Sequence, residues 1–155
     1  MKRSKQLEPL SHDHFEGLTA ASRLQIGVRK GAFPKVMAAY VDHFWHAALE
    51  RHFHLEETLL LPLLTTPALS SLAERLIEEH REIKDLVEQL NEAREPIGLL
   101  EELSRVLKAH IRFEERELFP ALEAEASRDS LQEVGRMLND AHVDVHLDWT
   151  PAFWE

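Results

Sequence analysis

Cysteine is absent from this 155-residue chain. Thiolate metal sites, disulfides and cysteine nucleophiles are thereby excluded, and nothing points to an oxidising compartment. Glycine (5 residues) and proline (7) are scarce, too few for the many turns of an all-β fold. Long apolar runs are missing as well. The richest, Leu59 to Leu64, is broken by Pro62 and is far too short to cross a bilayer. The opening MKRSKQLEPL is basic but lacks the apolar segment of a signal peptide, so a cytoplasmic protein without a membrane partner is the expectation. Basic charge is also short: 18 Lys and Arg stand against 28 Asp and Glu, a formal net charge of −10. Nucleic acid is therefore an unsuitable partner, because phosphate binding depends on Lys and Arg releasing counterions.

What is present is histidine, ten residues of it, within an ordinary soluble balance of 44% hydrophobic and 30% charged residues. The length fits one domain over residues 1–155, with a bundle core at about 10–126 and a C-terminal helix and tail at about 127–155. Four long segments carry apolar residues at three- and four-residue spacing, the mark of amphipathic helices. The first spans about Ser11 to Lys30 and ends at Gly31, and the second begins near Pro34 and reaches about Leu61. A third starts near Pro67 and stops before Pro96-Ile97-Gly98, and the fourth continues to about Ala126. Short connections make them antiparallel neighbours, an all-α up-down-up-down four-helix bundle. A fifth helix is expected from Ser130, where Ser130 and Glu133 form a capping-box pattern, to near Trp149. The role of that helix and of the aromatic tail behind it does not follow from the residues.

Helices two and four contain an internal repeat. His52-Phe-His-Leu-Glu56-Glu57-Thr-Leu-Leu60-Leu61-Pro62 aligns without a gap on His110-Ile-Arg-Phe-Glu114-Glu115-Arg-Glu-Leu118-Phe119-Pro120. Residues four apart lie one above the other on a helix, so His52/Glu56 and His110/Glu114 each present an imidazole beside a carboxylate. Both pairs fall inside apolar stripes: Val41, Trp45, Ala48, Leu49, Leu55, Leu59 and Leu60 on one helix, and Leu103, Val106, Leu107, Phe113, Leu118 and Ala121 on the other. Glu57 and Glu115 read as solvated surface. His80 sits among Leu76, Ile77, Ile83 and Val87, and His14 among Leu10, Leu18 and Ala21, so both point inward. His12 points outward.

The His-x-x-x-Glu spacing alone is weak, since it also occurs at His12 and His46 and serves as a simple surface contact. A lone histidine on an apolar face is more often a hydrogen-bonded core residue than a ligand. Two carboxylates among four core histidines are different, because each unpaired buried charge costs several kcal/mol. Cations among His14, His52, Glu56, His80, His110 and Glu114 satisfy both sets. His43, His46 and His54 read as solvated, and His142 and His146 form a His-x-x-x-His pair with no further partner in view.

Imidazole and carboxylate without sulfur suit iron, zinc or manganese, and six ligands are too many for one tetrahedral zinc. No histidine has Glu three positions before it, against the Glu-x-x-His of ferritin-like proteins. Asp13-His14-Phe15, Glu79-His80 and the two His-x-x-x-Glu-Glu repeats ending at Pro62 and Pro120 instead resemble the hemerythrin-like (HHE cation-binding) family, over about Leu10 to Pro120. That resemblance implies a non-haem di-iron centre with an oxo or hydroxo bridge. His14, His52, His80 and His110 would be terminal ligands, and Glu56 and Glu114 the bridges. It further implies a small partner such as O2, nitric oxide or peroxide, or a role in storing or sensing iron. Oxygen-carrying hemerythrins have two histidines four apart on this helix, but here the positions four after and four before His80 are Lys84 and Leu76, so a coordination position stays open. Glu117 is the only further carboxylate near the stripe. Ligand sensing or redox chemistry fits an open site better than oxygen carriage. A peroxide- or nitric-oxide-consuming oxidoreductase and a metal-free interaction bundle are the competing classes, with a protein partner or second copy on the C-terminal helix.

Overall fold

In the computed structural model, residues 3–141, 143, 145 and 147–155 are described. Among them every regular element is helical. Helix α1 is Glu8–Lys30, ended by Gly31 at φ 71°, whose N–H reaches the carbonyls of Gly27 and Val28. Gly31 takes this left-handed conformation without the strain a Cβ would bring. Helix α2 covers 34–59, in which Pro34–Phe44 and Glu50–Leu59 are α-helical and Trp45–Leu49 is a π turn. A short 3-10 turn, Leu61–Leu63, contains the Pro62 that stops it. Helix α3 is Pro67–Glu92. Helix α4 covers 97–125: Ile97–Phe113, the π turn Glu114–Leu118, and Phe119–Glu125.

The four helices close a ring, with α1 against α2 and α4, and α3 against α2 and α4. Two apolar layers fill it. One gathers Leu24, Met37, Tyr40, Phe53, Ile83, Leu107 and Ile111 toward one end. The other gathers Leu10, Leu60, Leu76, Phe113, Leu118 and Phe119 toward the opposite end. Between them lies a thin polar layer, and it holds the buried histidines and glutamates.

Helix α5 is Arg128–Ala141, so it starts two residues earlier than the capping-box pattern suggests and ends well before Trp149. Ser127 takes the cap, its Oγ accepting the Ser130 N–H at 3.1 Å. Val134 and Leu138 of α5 close the second apolar layer. The tail behind it closes the first: Phe153 and Trp149 meet the ring of Tyr40 edge-on at 5.2 and 5.7 Å. Arg23 fixes the tail by donating to the Leu147 carbonyl at 2.7 Å and by lying 4.0 Å from the Trp154 ring centre. The C-terminal segment is thus part of the core.

Candidate metal centre

One helix supplies each histidine, and the register of each apolar stripe turns it inward. His14, His52, His80 and His110 are 4, 5, 4 and 1% exposed, and Glu56 and Glu114 are 0% exposed. On α1 the inward row is Leu10, His14, Gly17, Ala21 and Leu24; Leu18, expected in that stripe, is 40% exposed. The row drifts by three as well as four residues, which carries it past Leu18.

The six side chains form two overlapping groups. His14, His52, Glu56 and Glu114 bring ligand atoms within 4.8 Å of one another, and so do Glu56, His80, His110 and Glu114. Glu56 and Glu114 belong to both. Glu56 Oε1 lies 3.2 Å from His52 Nε2 and 3.1 Å from His80 Nε2. Glu114 Oε1 lies 2.9 Å from His110 Nε2 and 3.3 Å from His14 Nε2. Each carboxylate thereby spans the two groups.

Glu56 Oε2, Glu114 Oε2, His52 Nε2 and His110 Nε2 are buried without a hydrogen-bond partner. Such atoms in a dry interior cost about 1–3 kcal/mol each, which a cation would relieve. The donor set, four imidazoles and two carboxylates, suits a pair of divalent ions. The residues fit the group.

Each of these four histidines is held from behind by a carboxylate of the neighbouring helix. Asp13 on α1 meets His52 Nδ1 at 3.0 Å, and Glu57 on α2 meets His80 Nδ1 at 3.2 Å. Glu79 on α3 meets His110 Nδ1 at 2.7 Å, and Glu115 on α4 meets His14 Nδ1 at 2.7 Å. The chain of contacts runs α1 to α2 to α3 to α4 and back to α1. An ionised carboxylate only accepts, so Nδ1 donates, and each ring turns its Nε2 to the interior, where the neutral form offers a lone pair. Glu57 and Glu115, expected on the solvated surface, are therefore corrected to partners of the site. Their side chains are 42 and 30% exposed. The available signal was an acid directly beside a ligand on every helix: Asp13-His14, Glu56-Glu57, Glu79-His80 and Glu114-Glu115.

The electrostatics follow from this enclosure. Burial alone would lower the His52 pKa, but the Glu56 charge and the Asp13 hydrogen bond override it and push it up to about 10. Burial alone would raise Glu56; the facing His52 and His80 hold it well below the ordinary carboxylate range instead. Glu115 is likewise drawn down to about 2, its burial outweighed by hydrogen bonds that include those of His14 and Arg3. For His110, burial dominates and the pKa is lowered.

A cavity of about 20 Å³ reaches His14, His52 and Glu114 of the first group, and His110 of the second. His14, His52, His110 and Glu114 line its polar side, Phe44, Leu49, Phe53, Leu107 and Ile111 its apolar wall, and Val145 of the tail also lines it. That volume holds one water-sized molecule. Gly17 keeps it open, since a Cβ there would stand 2.8 Å from Ile111 Cδ1. Phe53 also stacks on His80, ring centres 3.8 Å apart and planes 12° off parallel, and both line a wider cleft.

Other candidates fall away from the site. His12 is exposed, as are His43, His46 and His54. Glu117 turns outward to Arg75 at 3.2 Å. His142 and His146 lie outside the described residues.

The family model for the hemerythrin HHE cation binding domain matches residues 7–122. The chain belongs to the hemerythrin HHE cation-binding family. No curated protein and no solved structure matches it. No helix among the described residues is long and apolar enough to cross a membrane.

Proposed function

We propose that the chain binds a pair of iron ions, with His14, His52, His80 and His110 as terminal ligands and Glu56 and Glu114 as bridges. A small ligand of the O2, nitric oxide or peroxide class binds beside His14 and His52. The observation that carries this reading is the water-sized, largely apolar cavity bordered by His14, His52, His110 and Glu114, beside two groups that share both carboxylates. When bound, an oxo- or hydroxo-bridged iron pair supplies redox chemistry and a coordination position open to exogenous ligand; zinc or manganese could occupy the same donors.

The chain's own residues do the rest. Asp13, Glu57, Glu79 and Glu115 fix each imidazole so that Nε2 faces inward. Phe44, Leu49, Leu107 and Ile111 exclude bulk water and leave room for one small molecule. His52, which holds a proton in the metal-free protein, gives it up when a cation takes Nε2. Without a second histidine one turn from His80, the ligand set favours sensing or redox response over oxygen carriage.

Anaerobic loading of the full chain with Fe(II), metal analysis, and optical spectra with and without azide test the proposal. Two irons per chain and an azide-dependent spectrum are expected. A stable, reversible oxygenated species in stopped flow would overturn the sensing assignment, and substrate loss beyond one equivalent per site would make the protein an enzyme. A protein that takes up no metal and melts identically after chelation would refute the centre altogether.

A further inference from the structure

The matched family span begins at residue 7, yet the support of the centre begins before it. Arg3 precedes α1 and reaches α4, where its Nη2 donates to the Glu115 carbonyl at 2.7 Å and to Glu115 Oε2 at 2.9 Å. Its Nη1 pairs with Glu123 Oε1, and the Ser4 N–H donates to Glu123 Oε2 at 2.8 Å. Glu123 also lies outside the matched span. The Arg3 guanidinium stands 5.2 Å from the centre of the Phe119 ring, and Phe119 stacks on His14 at 5.5 Å with planes 6° apart. Arg3 therefore bears on His14 twice, through the carboxylate that holds its Nδ1 and through the ring that covers its face. Gly135 of α5 admits this arm, since a Cβ there would stand 3.0 Å from Gln6 Cα.

The same device recurs at the other ion position. Arg75 donates to Glu79 Oε2 at 2.7 Å and lies 4.1 Å from the Phe113 ring centre; Glu79 holds His110. The two arginines differ in screening: the Arg3 side chain is 18% exposed and that of Arg75 46%. Water weakens the Arg75 pair more. The N-terminal arm is thus the firmer of the two supports.

We infer that Arg3 is a positioning residue for the cation held by His14 and His52, acting through Glu115 and Phe119. This rests on the metal reading above. In the Arg3→Ala protein, one of the two ions should bind about tenfold more weakly in a chelator competition, the other being unchanged. Arg3→Lys, which keeps the charge but not the fork, should recover part of that loss. Glu123→Gln, which loosens the arm without touching Glu115, should fall between Arg3→Ala and the unaltered chain. A second readout needs no metal. In the metal-free protein, the His14 Nδ1 proton seen by nitrogen-edited NMR should exchange faster in Arg3→Ala, while that of His110, backed by Arg75, stays unchanged. Equal proton exchange in both proteins overturns the inference even if iron binds as proposed. Faster exchange at His14 alone supports it even if the native metal proves not to be iron.

Discussion

The two halves of the centre share their carboxylates and differ in what surrounds their histidines. Next to His80, Phe53 stacks on the ring and Ile83 is fully buried. Next to His14, the corresponding places hold Ile111, which aligns with Phe53 in the repeat, and Gly17, three residues after His14 as Ile83 is three after His80. The smaller pair borders the enclosed cavity, whereas Phe53 and His80 also line a wider cleft with Trp45, Glu57 and Ile77. The duplicated His-x-x-x-Glu pairs thus produce two similar groups, and packing gives the two sides differently shaped approaches. A core closes a gap wherever side-chain volume allows, because voids are costly.

The largest effect comes from removing what the halves share. Glu114→Ala should abolish both ions, whereas His14→Ala should leave one of two, and metal analysis after desalting reads the difference directly. Equal stoichiometry in the two variants would show that Glu114 does not bridge. Next in size is the support behind a ligand. Asp13→Ala should weaken the ion at His52 by about 10–100-fold, with the His80 side unmoved, as read by chelator competition.

A smaller effect should follow from erasing the difference in packing. Gly17→Ala brings a methyl toward Ile111 Cδ1 and into the cavity, so azide affinity should fall about tenfold, near 1.4 kcal/mol, with two ions retained. Loss of metal in that variant would mean that the cavity belongs to the fold rather than to the ligand.

The gentlest perturbation is pH. His52 holds its proton up to about 10 in the metal-free state. Its folded pKa is raised, so its contribution to metal-free stability is full below the unfolded value near 6.5 and is lost as pH rises toward 10. Cation uptake must expel that proton, so affinity should rise by up to tenfold per pH unit across the same window. Calorimetry in buffers of different ionisation enthalpy measures the released proton; none released would contradict this account.

The helices and the six inward residues were legible because they rest on local geometry. A repeat of His-x-x-x-Glu inside apolar stripes fixes which residues face the core, whatever the neighbours are. His14 over His12 followed from its stripe, although Leu18 proved exposed and Gly17 buried. Glu57 and Glu115 were misread because a residue beside a ligand in sequence points across a different helix boundary, and its partner sits on the next helix. The end of α5 was misread because the tail carries apolar residues that pack as irregular chain on Tyr40.

By itself, then, the sequence determined the bundle, the six inward residues and the doubling of the His-x-x-x-Glu pair, since periodicity and a fixed offset are properties of one chain read in order. Only the tertiary structure decided which carboxylate holds which histidine, which side chains border the cavity, and that an arginine before α1 completes the support. Those depend on side chains from different helices meeting across the bundle, at separations such as the 112 residues between Arg3 and Glu115, which no local pattern records.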